Sequence, residues 1–357
     1  MKTPAFLNHH NPVQPSHPGS SSIGSPKGMN PSPEMNPSPE MNQKKRTALR
    51  SATAPLFALF MMITLSTGCD LYGQDDYVEQ YVVESYLIAH QPLPELRLST
   101  TAPFNENYYF DERAVLGAEV RIHRYDDTGN RDKTYHYTET ERGVYHHQVE
   151  DIFERVLPRR TYKLEITLPR ADGHRITAAT SVPDTFSVKK VIRDRAYYQS
   201  DEQLEFQITR NRTNGRQNYF IYATESLDPK EENLTPFWRD ASDDGIDELV
   251  RIRTSIVNED NFDTNPDGTL TLRMPWIGIA FYGPNIISTF SLDDNSYDFF
   301  RSQPVQSGGG AGTLSPGEIQ NIIYNIEGAI GLFGSMSVLN IEVEVLRPPF
   351  QQSSRVE

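Results

Sequence analysis

Residues 162–168 read Tyr162-Lys163-Leu164-Glu165-Ile166-Thr167-Leu168, with an apolar side chain at every even position and a charged or hydroxyl one at every odd position. A period of two is that of a β-strand, whose successive side chains leave on opposite faces, so this heptapeptide specifies a strand with one buried and one wet face. The alternation recurs upstream at Val120-Arg121-Ile122. Downstream it runs through Ile176-Thr177-Ala178-Ala179-Thr180-Ser181-Val182 and ends at Pro183, which has no amide donor for a ladder. Asp127-Thr128-Gly129-Asn130 and Ala171-Asp172-Gly173 lie between such runs and supply residue types that accept the positive φ of a hairpin turn.

Six or seven short strands in about 100 residues predict an antiparallel sandwich of immunoglobulin-like or transthyretin-like type over 82–183. A second set begins where Leu204, Phe206 and Ile208 alternate with Glu205, Gln207 and Thr209, and Asn214-Gly215 predicts a hairpin from there to Tyr219, Ile221 and Ala223. Further strands are expected at 269–274, 277–282, 286–292 and 338–346. Helix is expected only over 293–302, opened by acidic residues, and over 316–325, with Ser315 as N-cap and Pro316 in the first turn. The expected class is all-β: two antiparallel sandwich-like domains at 82–183 and 184–347, a few short helices near the C-terminus, and a flexible tail at 348–357.

The first 68 residues follow another plan. Residues 1–43 are rich in Pro, Ser and Asn, and repeat Met29-Asn30-Pro31-Ser32-Pro33-Glu34 as Met35-Asn36-Pro37-Ser38-Pro39-Glu40, which predicts disordered low complexity. Lys44, Lys45, Arg46 and Arg50 then precede an apolar run from Ala54 to Leu65 and the small residues Ser66-Thr67-Gly68. This is the layout of an export signal over 44–68, its apolar run too short for the ~20 residues of a spanning helix. Met41 stands directly before the basic cluster, so translation is expected to start at Met29, Met35 or Met41. Cys69, the single cysteine of the chain, follows the signal at once. The segment resembles the bacterial lipobox, with Ser66 where Leu is usual. That resemblance implies that the Cys69 sulfur takes a diacylglycerol and that cleavage leaves Cys69 as the new N-terminus. Two or three acyl chains, at ~0.8 kcal/mol per buried CH₂, make a stable membrane anchor, with residues 69–81 as an acidic tether.

Beyond Cys69 there is no further cysteine, so the exported part has neither disulfides nor a thiolate site and depends on an apolar core. Residues 1–68 hold six of the chain's 34 Lys/Arg and two of its 48 Asp/Glu, which leaves 28 against 46, a net charge of −18 that repels nucleic acid. No G-x-S-x-G occurs, and His90, His123, His136, His146, His147 and His174 show no H-E-x-x-H spacing. Asp263-Thr264-Asn265-Pro266-Asp267-Gly268 fits the first half of a calcium loop, which makes Asp263, Asn265 and Asp267 a calcium candidate, the single cofactor expectation. Position twelve is Met274 rather than a bidentate Glu, and an ordinary Asx/Pro/Gly turn accounts for the same residues. The acidic loops at 240–268 carry carboxylates of the kind a hydrolase of glycans or peptides uses.

Longer signals stand near the C-terminus. Ser296-Tyr297-Asp298-Phe299-Phe300-Arg301-Ser302 and Asn325-Ile326-Glu327-Gly328-Ala329-Ile330-Gly331-Leu332-Phe333-Gly334-Ser335 resemble the closing signature of domain-of-unknown-function family 4249. Upstream, Val83-Glu84-Ser85-Tyr86-Leu87, Leu93-Pro94-Glu95-Leu96-Arg97-Leu98-Ser99 and Ala114-Val115-Leu116-Gly117-Ala118-Glu119-Val120 agree, so the resemblance covers about 69–347. Members of that family are exported lipoproteins, frequently encoded beside TonB-dependent outer-membrane receptors. The resemblance therefore implies a lipid-anchored outer-membrane protein, at the cell surface or the periplasmic face, that is a non-enzymatic accessory to a TonB-dependent transporter in nutrient uptake. It supplies no catalytic residues. The alternatives are a hydrolase using the 240–268 carboxylates and an adhesin-like structural surface protein. Gly328, Gly331 and Gly334 recur every three residues and predict close backbone packing, against the sandwich core or against a partner.

Overall fold

A computed structural model describes residues 77–103, 105–148, 153–169, 174–211, 217–241, 245–306 and 321–349. The signal segment, Cys69, most of the tether, the turn at 171–173, Asn214-Gly215 and the tail from 350 lie outside the described residues.

The first half of the fold comprises β1 (Tyr81–Ile88), β2 (Leu96–Thr100), the helical turn α1 (Phe110–Arg113), β3 (Glu119–Tyr125), β4 (Arg131–Glu141), β5 (Val144–His147), β6 (Thr161–Thr167) and β7 (Arg175–Ser181). The opening heptapeptide is β6 almost to the residue, with Tyr162, Leu164 and Ile166 buried and Lys163 exposed. At the β3–β4 turn the Asp126 carboxylate accepts from the amides of Thr128 and Asn130, and Gly129 takes φ +82°. The second half comprises β8 (Val188–Arg193), β9 (Arg195–Tyr197), β10 (Glu205–Ile208), β11 (Tyr219–Ser226), the short helices α2 (Pro236–Ala241) and α3 (Ile246–Leu249), and the short strands β12 (Arg251–Arg253), β13 (Val257–Asn258), β14 (Asp263–Thr264) and β15 (Leu270–Arg273). β16 (Gly283–Leu292), α4 (Asp294–Gln306), β17 (Ile326–Glu327) and β18 (Ile330–Leu346) complete it.

Among the described residues these strands form two sheets. One has the order β12-β11-β16-β18-β1-β2-β5-β4-β3-β6-β7-β17, with β13 and β9 added on β11 and β18; the other is β14-β15-β10-β8. The chain is all-β, sandwich-like and antiparallel in most pairings. The large sheet is mixed, however, because β18 runs parallel to both β1 and β9. Alternation and turn residues report neighbours joined by hairpins; they carry no signal for a pairing between Val83 and Gly331. β18 is 17 residues long, and its start pairs with β1 while its remainder, from Met336, pairs with β16. It thereby borders two apolar cores, one around Val83, Leu98, Ile122, Tyr162 and Phe333, the other around Phe206, Phe220, Leu272, Tyr282 and Val343.

Four local expectations need correction. Residues 277–282 form no strand: Trp276–Gly278 is a single 3-10 turn after Pro275, and Phe281 makes an isolated bridge with Leu234 before β16 begins at Gly283. β10 and β11 do not form a hairpin: β10 pairs with β8 and β15 in the small sheet, and β11 pairs with β16 in the large one. Alternation fixes which face of a strand is buried and not which strand is its neighbour. The last strand begins at Ile330 rather than Val338. Gly331 and Gly334 belong to its first half. Helix over 316–325 is not found where the chain is described, since residues 321–325 are irregular. Helix α4 occurs as expected and continues to Gln306.

The glycine spacing is explained by contact inside the molecule. A Cβ on Gly331, at φ +112°, would lie 2.1 Å from the Val83 carbonyl oxygen; one on Gly334 would lie 2.3 Å from Ser296 Oγ, and one on Gly328 2.8 Å from the Arg175 carbonyl oxygen. β1 and α4 thus press on the β18 backbone, and β7 on the chain just before it, where a side chain is missing. Asn325 bridges β7 and β18: its Nδ2 donates to the Phe333 carbonyl (2.7 Å) and the Ala179 carbonyl (3.3 Å), while its Oδ1 accepts from the Phe333 amide (3.1 Å). A primary amide carries the donor and acceptor of a peptide group, so Asn325 fills one missing rung between the two strands.

Candidate functional site

The wet faces of β3, β6 and β7 lie side by side, and the register sets who meets whom: His123 is opposite Lys163, which is opposite Ala179, and Arg121 is opposite Glu165, which is opposite Thr177. Ala179 offers only a methyl group in a row of long side chains. The space it leaves, extended by Asn325 and Glu327, is a groove of about 420 Å³.

Its walls are polar and mostly cross-linked. Glu165 accepts from Arg175 (2.7 Å) and Arg121 (3.4 Å) and lies 3.5 Å from His123 Nε2. Burial raises its pKa, but the Arg175 hydrogen bond and the two guanidinium charges outweigh this and hold the carboxyl below its ordinary value. His123 is buried, its Nδ1 2.9 Å from Thr134 Oγ1, and desolvation lowers its pKa against the pull of Glu165, so it is neutral at pH 7. Thr177 donates to Glu327 (3.1 Å). Lys163 differs: its ammonium rests 4.6 Å from the Tyr125 ring centroid, and among the described residues no carboxylate lies within ion-pair distance. The groove therefore holds one cation stabilised by an aromatic face beside a carboxylate already saturated by arginines. Such an arrangement suits binding a ligand with acceptor groups better than proton transfer, because Glu165 and His123 are both committed to protein partners.

A second polar cluster joins the halves. Asp293, 5% exposed, caps α4: its Oδ1 accepts from the amides of Ser296 (2.9 Å) and Ser335 (3.2 Å), and its Oδ2 accepts from Thr180 Oγ1 (2.6 Å). Desolvation raises its pKa despite these hydrogen bonds. Every partner is structural, and together they tie β7, β18 and the first turn of α4.

The calcium candidate residues do not converge. Asp263 pairs with Arg273 (2.6 Å), Asn265 donates to Thr269 and Thr271, and Asp267 accepts from the amide and hydroxyl of Thr269. Together with Gly268 at φ +79° they build the turn between β14 and β15. The carboxylates of 240–268 are likewise scattered. Asp247 and Glu248 belong to α3, Glu259 is buried against Arg210 and the Asn218 amide, and residues 242–244 lie outside the described residues. Among the described residues no three His, Cys, Asp or Glu side chains gather as a metal site. His146 and His147 leave opposite faces of β5, His147 Nδ1 donating to the His136 carbonyl (3.0 Å). Trp276 packs edge-on to Tyr198, partly buried.

The site residues are of a kind periodicity marks only as wet. Lys163 and Glu165 were legible as the exposed face of β6; that His123 and Arg175 stand beside them follows from register, which only the paired strands reveal.

These features define an all-β protein with a mixed sheet and a polar groove on its outer face. The chain belongs to the family described as Domain of unknown function (DUF4249), whose model matches residues 71–342. No curated protein matches it in sequence. Among solved structures it is distantly similar to native Escherichia coli alpha-2-macroglobulin (9% identity, TM-score 0.21, 79% of this chain) and to a tetra-tandem repeat from the extending region of a large adhesion protein (12% identity, TM-score 0.20, 75% of this chain). The chain spans 15% of the first and 50% of the second.

Proposed function

We propose that this protein is a lipid-anchored, non-enzymatic binding or accessory subunit of the outer membrane, working beside a TonB-dependent transporter in uptake. The observation that carries the proposal is the position of Cys69, the single cysteine, directly behind a basic cluster, an apolar run and three small residues. Family membership supports it, as does a groove whose acid and imidazole are held in ion pairs and hydrogen bonds instead of being poised for chemistry. In this reading Lys163 and the groove around it supply the contact surface for a ligand or for the transporter.

Two measurements test it. Intact mass of the cell-derived protein is expected to start at Cys69 and to include two or three acyl chains; an unmodified Cys69, or one still joined to Gly68, defeats the anchor. Purification in mild detergent is expected to bring down a TonB-dependent barrel, and its consistent absence from folded, abundant protein defeats the accessory role.

A further inference from the structure

The large sheet has two ends, and strand polarity assigns loops to each. β1 starts at one end, β2 returns there at Thr100, and the segment from 105 to 118, the β4–β5 turn and Gly328 lie at that same end. The entry segment is fastened to the loop beside it. The Thr101 amide donates to the Gln80 carbonyl (2.9 Å), Thr100 Oγ1 donates to Glu79 (3.0 Å), and Arg113 reaches Glu79 at 3.5 Å. Large apolar side chains stand exposed on this end: Val78 at 73%, Tyr109 at 56%, Tyr108 at 45% and Leu116 at 42%. The Tyr108 ring is held in place, since its hydroxyl donates to Ser99 Oγ (2.9 Å).

Chain length says what covers them. The folded unit begins at Val78, nine residues after Cys69, and nine peptide steps span at most about 32 Å. If Cys69 is acylated, this end is held within that reach of the bilayer, while the far end lies about 50 Å further along the 17 residues of β18 and has no tether. Tyrosines with an apolar ring and a polar tip settle at the headgroup level of a membrane. Asp111 and Glu112 in α1, with Glu106 shared with Arg113, make the same surface acidic and so unsuited to anionic headgroups.

We propose that the end bearing Val78, Tyr108, Tyr109 and Leu116 seats in the headgroup layer of a zwitterionic bilayer, so that the opposite end, with Trp238 and Trp276, points away from the membrane. The proposal rests on the lipid anchor at Cys69. Its test uses the full lipidated protein in phosphatidylcholine vesicles with brominated acyl chains. The two native tryptophans are expected to keep their emission, and Tyr109→Trp and, separately, Leu116→Trp to add emission of which more than half is quenched. Phosphatidylglycerol vesicles are expected to weaken that quenching. If the emission added by Tyr109→Trp and by Leu116→Trp stays unquenched in protein whose mass shows an acylated Cys69, the seating is overturned while the anchor stands, as it would be if another protein covered this end. A bare Cys69 and no vesicle capture overturn the anchor and the seating together.

Discussion

Replacing Gly331 by alanine should break the parallel pair that ties the ends of the chain together. The new methyl would start 2.1 Å from the Val83 carbonyl oxygen, and side-chain Cβ atoms do not approach closer than 3.0 Å, so β1 and β18 must part by about 0.9 Å at that point. A ladder bond of ordinary length, stretched by that much, leaves the range of ~2.7–3.2 Å. The pairing runs from Val82↔Ile330 to Ile88↔Met336. Losing about three of its hydrogen bonds costs roughly 3 kcal/mol. Holding a non-glycine residue at φ +112° adds about 1–3 kcal/mol. The sum, about 4–6 kcal/mol, is comparable with the whole stability of many domains, about 5–15 kcal/mol. Gly268→Ala and Gly129→Ala serve as controls: both glycines have positive φ, yet no heavy atom lies within 4 Å of the added carbon. They should cost only about 1–2 kcal/mol. Urea titration followed by tryptophan emission and far-UV circular dichroism reads all three. A Gly331→Ala midpoint no lower than that of Gly268→Ala refutes the close-approach argument.

Asp293→Ala removes an N-cap and leaves the buried Ser335 amide without its acceptor, an expected loss of about 3–5 kcal/mol in urea titration. Because burial raises the Asp293 pKa, the folded state binds the extra proton between the ordinary carboxyl value and the raised one, and stability falls as pH rises through that window. Asp293→Asn should therefore flatten the pH profile there, and an unchanged slope would sink the assignment. Glu165 has the opposite sign: its depressed pKa means that its contribution is present above its ordinary value and is lost as the solution is acidified, so Glu165→Gln should reduce the acid-induced loss of stability. Millimolar calcium should leave the melting temperature where chelator leaves it, since Asp263, Asn265 and Asp267 each have separate protein partners; a rise of several degrees would contradict this. Lys163→Glu should cost only about 1 kcal/mol of stability through the lost ring contact, yet abolish capture of the transporter if the groove is the contact surface; full capture would remove the groove from that role.

Periodicity served well wherever a strand has one wet face and a hairpin neighbour. β3, β6 and β7 follow from their alternation, the β3–β4 turn from Asp126 to Asn130, and α4 from the acidic residues at its start. It failed where partners are distant in sequence. The entry of β1 beside β18, the separation of β10 from β11, and the bridging amide of Asn325 are all set by register and three-dimensional closure, for which a run of residue types carries no mark. The glycines at 328, 331 and 334 stand between these cases. Their spacing announced close approach, and only the fold shows that Arg175, Val83 and Ser296 are what approaches. The groove was legible by composition, as charges on a wet face, and invisible as a site, because Ala179 becomes a hollow only when flanked by Lys163 on the next strand.

Pairing Val82 with Ile330 also dictates a timetable. A chain that emerges in the order of its synthesis releases β1 first and its parallel partner β18 last. Until then its neighbours wait with half a sheet, and closing so wide a loop is intrinsically slow. Removing even the closing stretch from Gly328 onward would consequently strip the earliest strand of its mate, so damage at one terminus should be felt as collapse at the other.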